Sequence, residues 1–309
     1  MNQHSECSRS IIHLAASKVG FSPLVEKIDY ELFLSFQEMR EIVIHSKIIS
    51  IDEEVLKDFY NSSSIIVDPD NEFFASIDGV LFSKDKTKLI RYPPQRQSLN
   101  YTIPSTVTSL GAYSFLNCIN LNKIQIPSSV TTIDESSFGH NIHLQNIFVD
   151  ANNPNYASID GILFTRDGTT LINYPSYKKS PQYTIPSSTT TIGSFAFYYD
   201  LHLMTIIIPA SVKSIGDTSF VGGRRLTKLV VDPDNPFHTS IDGILYTKNI
   251  DTLVCLPHNT FLTAFSIPST VVSIASCACY NCHRLNVIHI PSSVKSIGKC
   301  AFSNCPDLN

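Results

Sequence analysis

The chain has 309 residues, of which 43% are apolar and 16% are charged, and its formal net charge is −4. This apolar content is enough to bury a core, so it excludes a disordered chain. The mild acidity, with Lys178-Lys179 and Arg224-Arg225 as the only paired basic residues, excludes a nucleic-acid-binding protein.

Residues 1–20 form an N-terminal segment that lacks the features of a secretory signal peptide. Its apolar stretch, Ile11 to Ala16, is short, is broken by His13 and follows Glu6. No stretch approaches the ~20 apolar residues that a membrane-spanning helix needs. The sequence therefore predicts neither an ordinary export signal nor a transmembrane segment.

From residue 21 onward the sequence repeats with a period of 82 residues. The motif Ser-Ile-Asp-Gly, for example, begins at Ser76, at Ser158 and at Ser240. A fixed period indicates stacked copies of one supersecondary unit. Residues 21–309 are therefore predicted to form a single repeat solenoid, an architecture that presents an extended surface more readily than a catalytic cleft.

Each 82-residue unit contains two shorter coils and one insertion, because Ile-Pro recurs at Ile103 and, 23 residues later, at Ile126. The coils are predicted to start at residues 21, 44, 103, 126, 185, 208, 267 and 290. The insertions are predicted to span 67–102, 149–184 and 231–266. The last coil stops before its strand is complete, which would allow end-to-end self-association.

A coil reads Ile-Pro-Ser-x-Val-x-x-Ile-Gly, then Phe, and then Leu-x-x-Ile-x-Ile-Pro. In one such strand the alternation places Ile124 and Ile126 inward and Gln125 outward, as a half-buried strand requires. These strands are predicted to form one continuous parallel sheet. Two further sets of residues recur at fixed positions of the coils. Corners with positive φ are predicted at Gly193, Gly216 and Gly298. A stacked aromatic spine is predicted for Phe115, Phe138, Phe197, Phe220 and Phe302.

The insertion has turn signals of its own. Asp160-Gly161 lies between two apolar runs, which is a strong hairpin signal. A second turn over 165–169 precedes a strand that Pro175 ends. Each insertion is therefore predicted to be a small β-meander that projects from the solenoid sheet or continues it.

These motifs closely resemble the BspA-type leucine-rich repeats of bacterial and protist surface antigens. The matching sequences are Ile-Pro-Ser-Ser-Val-x-x-Ile-Gly, x-Phe-x-x-Cys-x-x-Leu and the longer Asn-Pro-x-x-x-Ser-Ile-Asp-Gly-Ile-Leu-Phe. The motifs themselves match over residues 67–309. Residues 21–66 match only in their position within the 82-residue repeat. It implies a leucine-rich-repeat solenoid, β-rich with short helical or 3-10 turns and with β-meander insertions. It also implies an adhesive role at the cell surface or after secretion, whereas the missing export signal favours an intracellular, cytoplasmic scaffold as the alternative.

Clustered cysteines near the C-terminus allow three interpretations. Cys277 and Cys300, like Cys282 and Cys305, are 23 residues apart and so occupy equivalent coil positions. Buried thiols packed as small apolar groups are the favoured interpretation. The alternatives are two disulfides between these pairs or, with His283, a zinc site.

Two other sets of polar residues are candidate ligand sites. Asp68, Asp70, Asn71 and Asp78, with their equivalents at 150–160 and 232–242, could bind Ca²⁺, although their spacing is not that of an EF-hand and Asp-Pro-Asp-Asn is common in turns. His140 and His143 are predicted to lie in a solvated turn. We therefore predict no metal and no cofactor.

The outward positions of the strands are the remaining candidates for function, because no nucleophile elbow, P-loop or dinucleotide fingerprint is present. The chain is thus predicted to be non-enzymatic, without catalytic residues, and to bind proteins of a host, the matrix or neighbouring cells. The candidate protein-binding residues are Lys123, Gln125, Asn146, Phe148, Thr205, Ile207, Lys228, Val230, Val287 and His289. Phe148, Ile207 and Val230 are predicted to align as one apolar stripe. The alternative is a plain solvated sheet.

Overall fold

The computed structural model describes residues 11–15, 18–33 and 39–308, so parts of the N-terminal segment 1–20 and Asn309 lie outside the described residues. Helix is almost absent from the described chain. Its two helices have one turn each, α1 (Tyr30–Phe33) and α2 (Glu53–Leu56). The rest of the regular structure is β-strand, which confirms the β-rich solenoid predicted from the repeats.

One strand precedes each Ile-Pro or its equivalent, and we call these the front strands. They are β2 (Lys18–Phe21), β4 (Glu41–Ile44), β6 (Ser64–Val67), β10 (Asn100–Thr102), β13 (Lys123–Ile126), β16 (Asn146–Val149), β20 (Gln182–Thr184), β22 (Thr205–Ile208), β24 (Lys228–Val231), β28 (Ala264–Ser266) and β30 (Val287–His289). Neighbours pair in parallel with a register of one coil, as in Thr205 opposite Lys228. An additional strand, β1 (Ile11–Ala15), pairs antiparallel with β2.

The second apolar pair of each coil forms a short rear strand. The rear strands are β3 (Lys27–Ile28), β5 (Ser50–Ile51), β11 (Ser109–Leu110), β14 (Thr132–Ile133), β21 (Thr191–Ile192), β23 (Ser214–Ile215), β29 (Ser273–Ile274) and β31 (Ser296–Ile297). They also pair in parallel, as in Ser109 opposite Thr132. A third parallel pair joins β12 (Phe115–Leu116) to β15 (Phe138–Gly139).

Each insertion is a three-stranded antiparallel meander, as predicted. The strands are β7 (Phe74–Ile77), β8 (Val80–Ser83) and β9 (Lys88–Arg91); β17 (Tyr156–Ile159), β18 (Ile162–Thr165) and β19 (Thr170–Asn173); and β25 (His238–Ile241), β26 (Ile244–Thr247) and β27 (Thr252–Cys255). At the tip of the second meander Asp160 and Gly161 both have positive φ, 51° and 76°, as a type I′ hairpin turn requires. The last strand of each meander pairs in parallel with a rear strand, β9 with β11, β19 with β21 and β27 with β29. The meanders therefore continue the rear sheets.

The prediction of one continuous front sheet is wrong, because the front strands of the described residues are distributed over separate sheets. The hairpin tips explain the interruption. The N–H of Ile65 in β6 donates to the carbonyl of Gly79 at 2.8 Å, and the N–H of Leu229 in β24 donates to that of Gly243 at 2.9 Å. Each tip thus covers the edge of the preceding front sheet, which would otherwise expose unpaired backbone groups.

The chain divides into two compact units, residues 1–144 with 148–155 and residues 145–147 with 156–309. The core of unit 1 includes Ile42, Ile65 and Phe59, which are buried against the meander residue Leu81. Unit 2 has two buried clusters, one around Phe197 and Phe220 and the other around Leu253 and Leu285. Strand β16 is shared, because Asn146 and Ile147 belong to unit 2 whereas Phe148 and Val149 belong to unit 1.

The aromatic spine forms in part. Phe115 and Phe138 stack with ring centroids 5.4 Å apart, and Phe197 and Phe220 stack at 5.7 Å. Phe302 instead packs against the buried cluster that contains Cys279. Cys279 stands 82 residues after Phe197, so the third repeat has a thiol where the second has a ring.

The corner glycines have a different role from the one predicted. Gly193, Gly216 and Gly298 are not among the residues with positive φ. A Cβ on Gly216 would lie 2.5 Å from the backbone nitrogen of Ser194, and one on Gly298 would lie 2.3 Å from that of Ser276. Glycine is needed there because backbones of adjacent coils approach too closely for any side chain.

Candidate protein-binding surface

The front strands alternate between buried and outward positions. In β13 the apolar Ile124 and Ile126 are buried, whereas Lys123 and Gln125 are exposed. The same pattern holds in β24, where Leu229 is buried and Lys228 and Val230 are exposed. The predicted facing of these strands is therefore confirmed, and it leaves one side chain in two available to a partner.

The candidate binding residues differ in accessibility. Those that are exposed are Lys123, Gln125, Phe148, Lys228, Val230, Val287 and His289. Asn146, Thr205 and Ile207 are half-buried. Phe148 and Val230 expose 43% and 40% of their surface, and the neighbouring Met204 exposes 45%. Val287 is similarly exposed, at 41%.

The structure brings some of these residues together and not others. In unit 2, β22 and β24 place Thr205 opposite Lys228 and Ile207 opposite Val230. The predicted single stripe is wrong, because Phe148 is not in that sheet, which consists of β20, β22 and β24. The position beside Ile207 belongs to Thr184. Val287 and His289 pair with Ala264 and Ser266 in a further sheet.

Sequence reasoning missed three front strands, β10, β20 and β28, whose residues were assigned to the ends of the insertions. Their signal is Tyr-Thr-Ile-Pro at Tyr101 and Tyr183, with Phe-Ser-Ile-Pro at Phe265. An aromatic residue there occupies the inward position that Ile124 fills in β13. Outward-facing Gln182 and Thr184 therefore join the candidate face of unit 2.

The acidic turns of the insertions are organised by a buried asparagine. The side-chain amide of Asn71 donates to the carbonyls of His45 and Ile48 at 2.9 and 2.8 Å, and its oxygen accepts the N–H groups of Phe73 and Phe74. Asn153 and Asn235 donate to the equivalent carbonyls in their own repeats. Because the hydrogen-bonding groups of this side chain are engaged by backbone, a structural role accounts for its recurrence.

The aspartates of these turns also bond locally. A side-chain oxygen of Asp68 accepts the N–H of Asp70 at 2.9 Å, and Asp232 does the same for Asp234. These are Asx turns, the ordinary chemistry of Asp-Pro-Asp-Asn. Within the described part of the chain no three His, Cys, Asp or Glu side chains are grouped closely enough to hold a metal ion.

The cysteines of the described residues are free thiols, including both pairs that could have formed disulfides. Burial raises the pKa of Cys118 and Cys255 to about 12, so these thiols stay neutral and pack as small apolar groups. Cys282 and Cys305 are close enough for their thiols to hydrogen-bond, which raises the pKa of Cys282 and lowers that of Cys305. The buried Cys118, Cys255, Cys279 and Cys282 thus follow the favoured interpretation of packed thiols, whereas Cys277 and Cys305 are half-buried and Cys300 is exposed.

The histidine pair lies in a coil turn. His140 has a positive φ of 51° and His143 is exposed, with its ring Nδ1 against the carbonyl oxygen of Ile119. The ring of His143 therefore contacts the preceding coil.

In the described residues no helix has the length and apolarity to cross a bilayer. Residues 13–102, 95–176, 155–260 and 256–309 match the family described as BspA type leucine rich repeat region, in six copies. No curated protein sequence is significantly similar to the chain.

Solved structures that share the fold include the following two. One is a leucine-rich repeat protein from Eubacterium ventriosum, 20% identical with a TM-score of 0.55, covering 95% of this chain and 91% of that chain. The other is the pneumococcal vaccine antigen PcpA, 20% identical with a TM-score of 0.52, covering 94% of this chain and 77% of that chain. At these identities the likeness concerns the fold alone. Because the family match runs from residue 13 to residue 309, the chain belongs to the BspA-type leucine-rich-repeat family.

Proposed function

We propose that this chain is a non-enzymatic protein-binding solenoid that uses its front strands as the binding face. The observation that carries the proposal is the direct pairing of Ile207 with Val230 on the outward side of the β20–β22–β24 sheet. In this pair Val230 is exposed and Ile207 is half-buried; Met204, just before β22, adds a further exposed apolar side chain, and Lys228 and Gln182 supply polar ones. An apolar centre with a polar rim is the usual anatomy of a protein interface.

The family supports the same function, because leucine-rich-repeat solenoids of this type typically act as non-enzymatic scaffolds for protein interaction. We further propose that the chain acts in adhesion at the cell surface or after secretion and contacts proteins of a host, the matrix or neighbouring cells. The family resemblance supports that location, and one structure that shares the fold is a pneumococcal vaccine antigen, PcpA.

An intracellular scaffold for protein interaction is the second candidate, because the family supports a scaffold role without fixing its location. Localisation of the tagged protein in its own cell separates the two, because only the surface protein would be removed by protease added to intact cells.

The binding face is tested by comparing Ile207→Ser/Val230→Ser with a control, Ile241→Ser/Val272→Ser. The control removes two similarly exposed apolar side chains outside the front strands. Binding of each folded variant to purified matrix proteins and to intact host cells is measured beside wild type. The front-strand variant should lose most of its binding while the control keeps it. If both variants bind like wild type, the front strands are not the binding face.

A further inference from the structure

Three basic side chains of unit 2 occupy the same position on successive turns. Lys179, His202 and Arg225 are each separated by 23 residues, the length of one coil. Lys179 and Arg225 are exposed and His202 is half-buried. We call these three residues the basic ladder.

Backbone hydrogen bonds hold the three turns in register on both sides of the ladder. Before it, the N–H of Leu201 donates to the carbonyl of Ser176 at 3.1 Å, and the N–H of Arg224 donates to that of Asp200 at 3.0 Å. After it, the N–H of Met204 donates to the carbonyl of Pro181 at 2.8 Å. The ladder residues are therefore carried on a rigid scaffold, with a spacing close to the ~4.8 Å between neighbouring parallel strands.

The ladder is a concentration of positive charge in an acidic protein. Lys178 and Arg224 adjoin it, and among the described residues no ion pair involves any of these cations. Burial, then Arg225 and then Lys179, lower the pKa of His202. Lys178 interacts with nearby Asp160 and donates to its carbonyl oxygen at 2.5 Å, whereas the charges of Lys179 and Arg225 act on His202.

A polar cavity of about 350 Å³ opens beside the ladder. It is lined by Gln145, Asn146, Tyr177, Lys178, Lys179 and Ser180. The half-exposed ring of Tyr177 lies 4.9 Å from that of His202, and Lys179 Nζ lies 5.5 Å from the centre of the Tyr177 ring. Amides, a hydroxyl and an aromatic ring are thus placed next to the cations.

The cavity is a feature of the repeat, because unit 1 has a counterpart lined by Ser63, Gln95 and Gln97. These residues stand 82 positions before Gln145, Tyr177 and Lys179. In unit 1 the ladder positions are Gln97, Asn120 and His143, which carry no permanent charge. The unit 1 cavity has Arg40 in its lining but no aromatic ring, so of these two cavities the one in unit 2 combines the basic ladder with an aromatic side chain.

We propose that the basic ladder and its cavity bind an acidic polysaccharide, a chain that carries carboxylate or sulfate groups on successive sugars. Lys179 and Arg225 present exposed cations two coils apart, with the half-buried His202 ring between them, so a linear chain can place successive acidic groups against Lys179 and Arg225. Lys and Arg form strong charge-assisted hydrogen bonds with such groups. Sugar hydroxyls, which both donate and accept, match Gln145, Asn146 and Ser180 in the cavity. An acidic peptide would also use the cations, but it carries hydroxyl groups only at Ser, Thr or Tyr, whereas every sugar of a polysaccharide offers them to Gln145, Asn146 and Ser180.

The test measures binding of the full chain to immobilised heparin, hyaluronan and neutral dextran at physiological salt. We expect binding to one or both acidic polysaccharides and none to dextran. Lys179→Ser/Arg225→Ser should weaken this binding at least tenfold. The control Lys213→Ser/Lys299→Ser removes the same charge from exposed positions elsewhere and should keep the affinity. Circular dichroism and urea unfolding establish that each variant is folded.

Three outcomes would overturn the proposal: binding to none of the acidic polysaccharides, equal losses in the ladder variant and its control, or equally effective competition by polyglutamate. The last would identify an unspecific anion site or one for acidic peptides. Tyr177→Ala adds an independent measurement, because it keeps every charge yet should weaken heparin or hyaluronan binding. Ile207→Ser/Val230→Ser should leave polysaccharide binding intact, so failure here is distinguishable from failure of the protein-binding face.

Discussion

The side-chain nitrogen of Asn235 donates to the carbonyl oxygen of Val212 at 2.9 Å, one coil back along the chain. The same nitrogen donates to the carbonyl of Pro209, and the side-chain oxygen accepts the N–H groups of Phe237 and His238. One buried amide therefore joins the start of the third meander to the turn of the preceding coil. The equivalent residues Asn71 and Asn153 do the same in their repeats.

We expect Asn235→Ala to destabilise the protein by about 2–4 kcal/mol, because it leaves several buried backbone groups without partners, at about 1–3 kcal/mol for each unsatisfied group. Asp234→Ala, one residue away and exposed, should change stability by less than about 0.5 kcal/mol. Urea unfolding of both variants measures the difference. Similar midpoints for the two would show that the amide does not hold the meander in place.

The orientation of the front-strand side chains predicts how substitutions at two adjacent residues change stability. Ile124→Asp places a charge in a fully buried position and should cost about 3 kcal/mol or more. Gln125→Asp, on the exposed side of the same strand, should stay within about 0.5 kcal/mol of wild type. The free energy of unfolding in urea tests both, and equal effects would contradict the assigned orientation of β13.

Features that depend on a single strand or a single turn could be predicted from the sequence. The period of two identifies Ile124 as inward, and Asp160-Gly161 identifies the hairpin because its dihedral angles suit few other residue pairs. The binding candidates could likewise be placed on the outward face, since facing follows from alternation alone. Their binding role stays a prediction.

Relationships between coils could not be read in the same way. The repeat shows that Asn235 recurs, but its backbone partners are chosen by stacking, which a single coil does not reveal. Whether Ile207 neighbours Phe148 or Thr184 likewise depends on where the meander returns to the front strands. The sequence contains the 23-residue spacing of Lys179, His202 and Arg225, but only the stacking of the coils shows that these side chains are neighbours.

Two glycines allow the cost of a steric clash between coils to be compared with the cost of a positive φ. Gly216 has no positive φ, but a Cβ there would lie 2.5 Å from the backbone nitrogen of Ser194. Gly216→Ala should therefore cost about 2–3 kcal/mol, since the clash forces the backbones of adjacent coils apart. Gly168 has a φ of +71°, and a Cβ there would meet the Ser188 hydroxyl oxygen at an ordinary contact distance of 3.4 Å, so Gly168→Ala should cost only about 1–2 kcal/mol. Thermal unfolding ranks the two, and the reverse order would argue against close coil contact at Gly216.

A buried carboxyl predicts how stability varies with pH. One side-chain oxygen of Asp200 accepts the N–H groups of His202 and Leu203 at 2.9 and 2.6 Å. Its other oxygen is buried without a hydrogen-bond partner among the described residues. Burial raises the pKa of Asp200 to about 7, although the two N–H bonds oppose the increase. Cys118 and Cys282 occupy the same position in the neighbouring repeats, where no charge has to be buried.

Because the pKa of Asp200 is higher in the folded chain than the ordinary value of 3.8, the folded state binds more protons between these two values. The contribution of Asp200 to stability is therefore complete below about pH 4 and is lost as pH rises through about 7, with an upper limit on the order of 4 kcal/mol. His258 acts in the opposite direction, since burial lowers its pKa to about 4. The informative quantity is thus the difference between wild type and Asp200→Asn, which keeps the acceptor for the two N–H groups and cannot ionise. Urea unfolding at pH 5, 6, 7 and 8 should show the variant gaining stability relative to wild type at each step. Asp234→Asn, exposed to solvent, should show no such trend. A difference between wild type and Asp200→Asn that stays constant across these pH values would mean that Asp200 is ionised throughout.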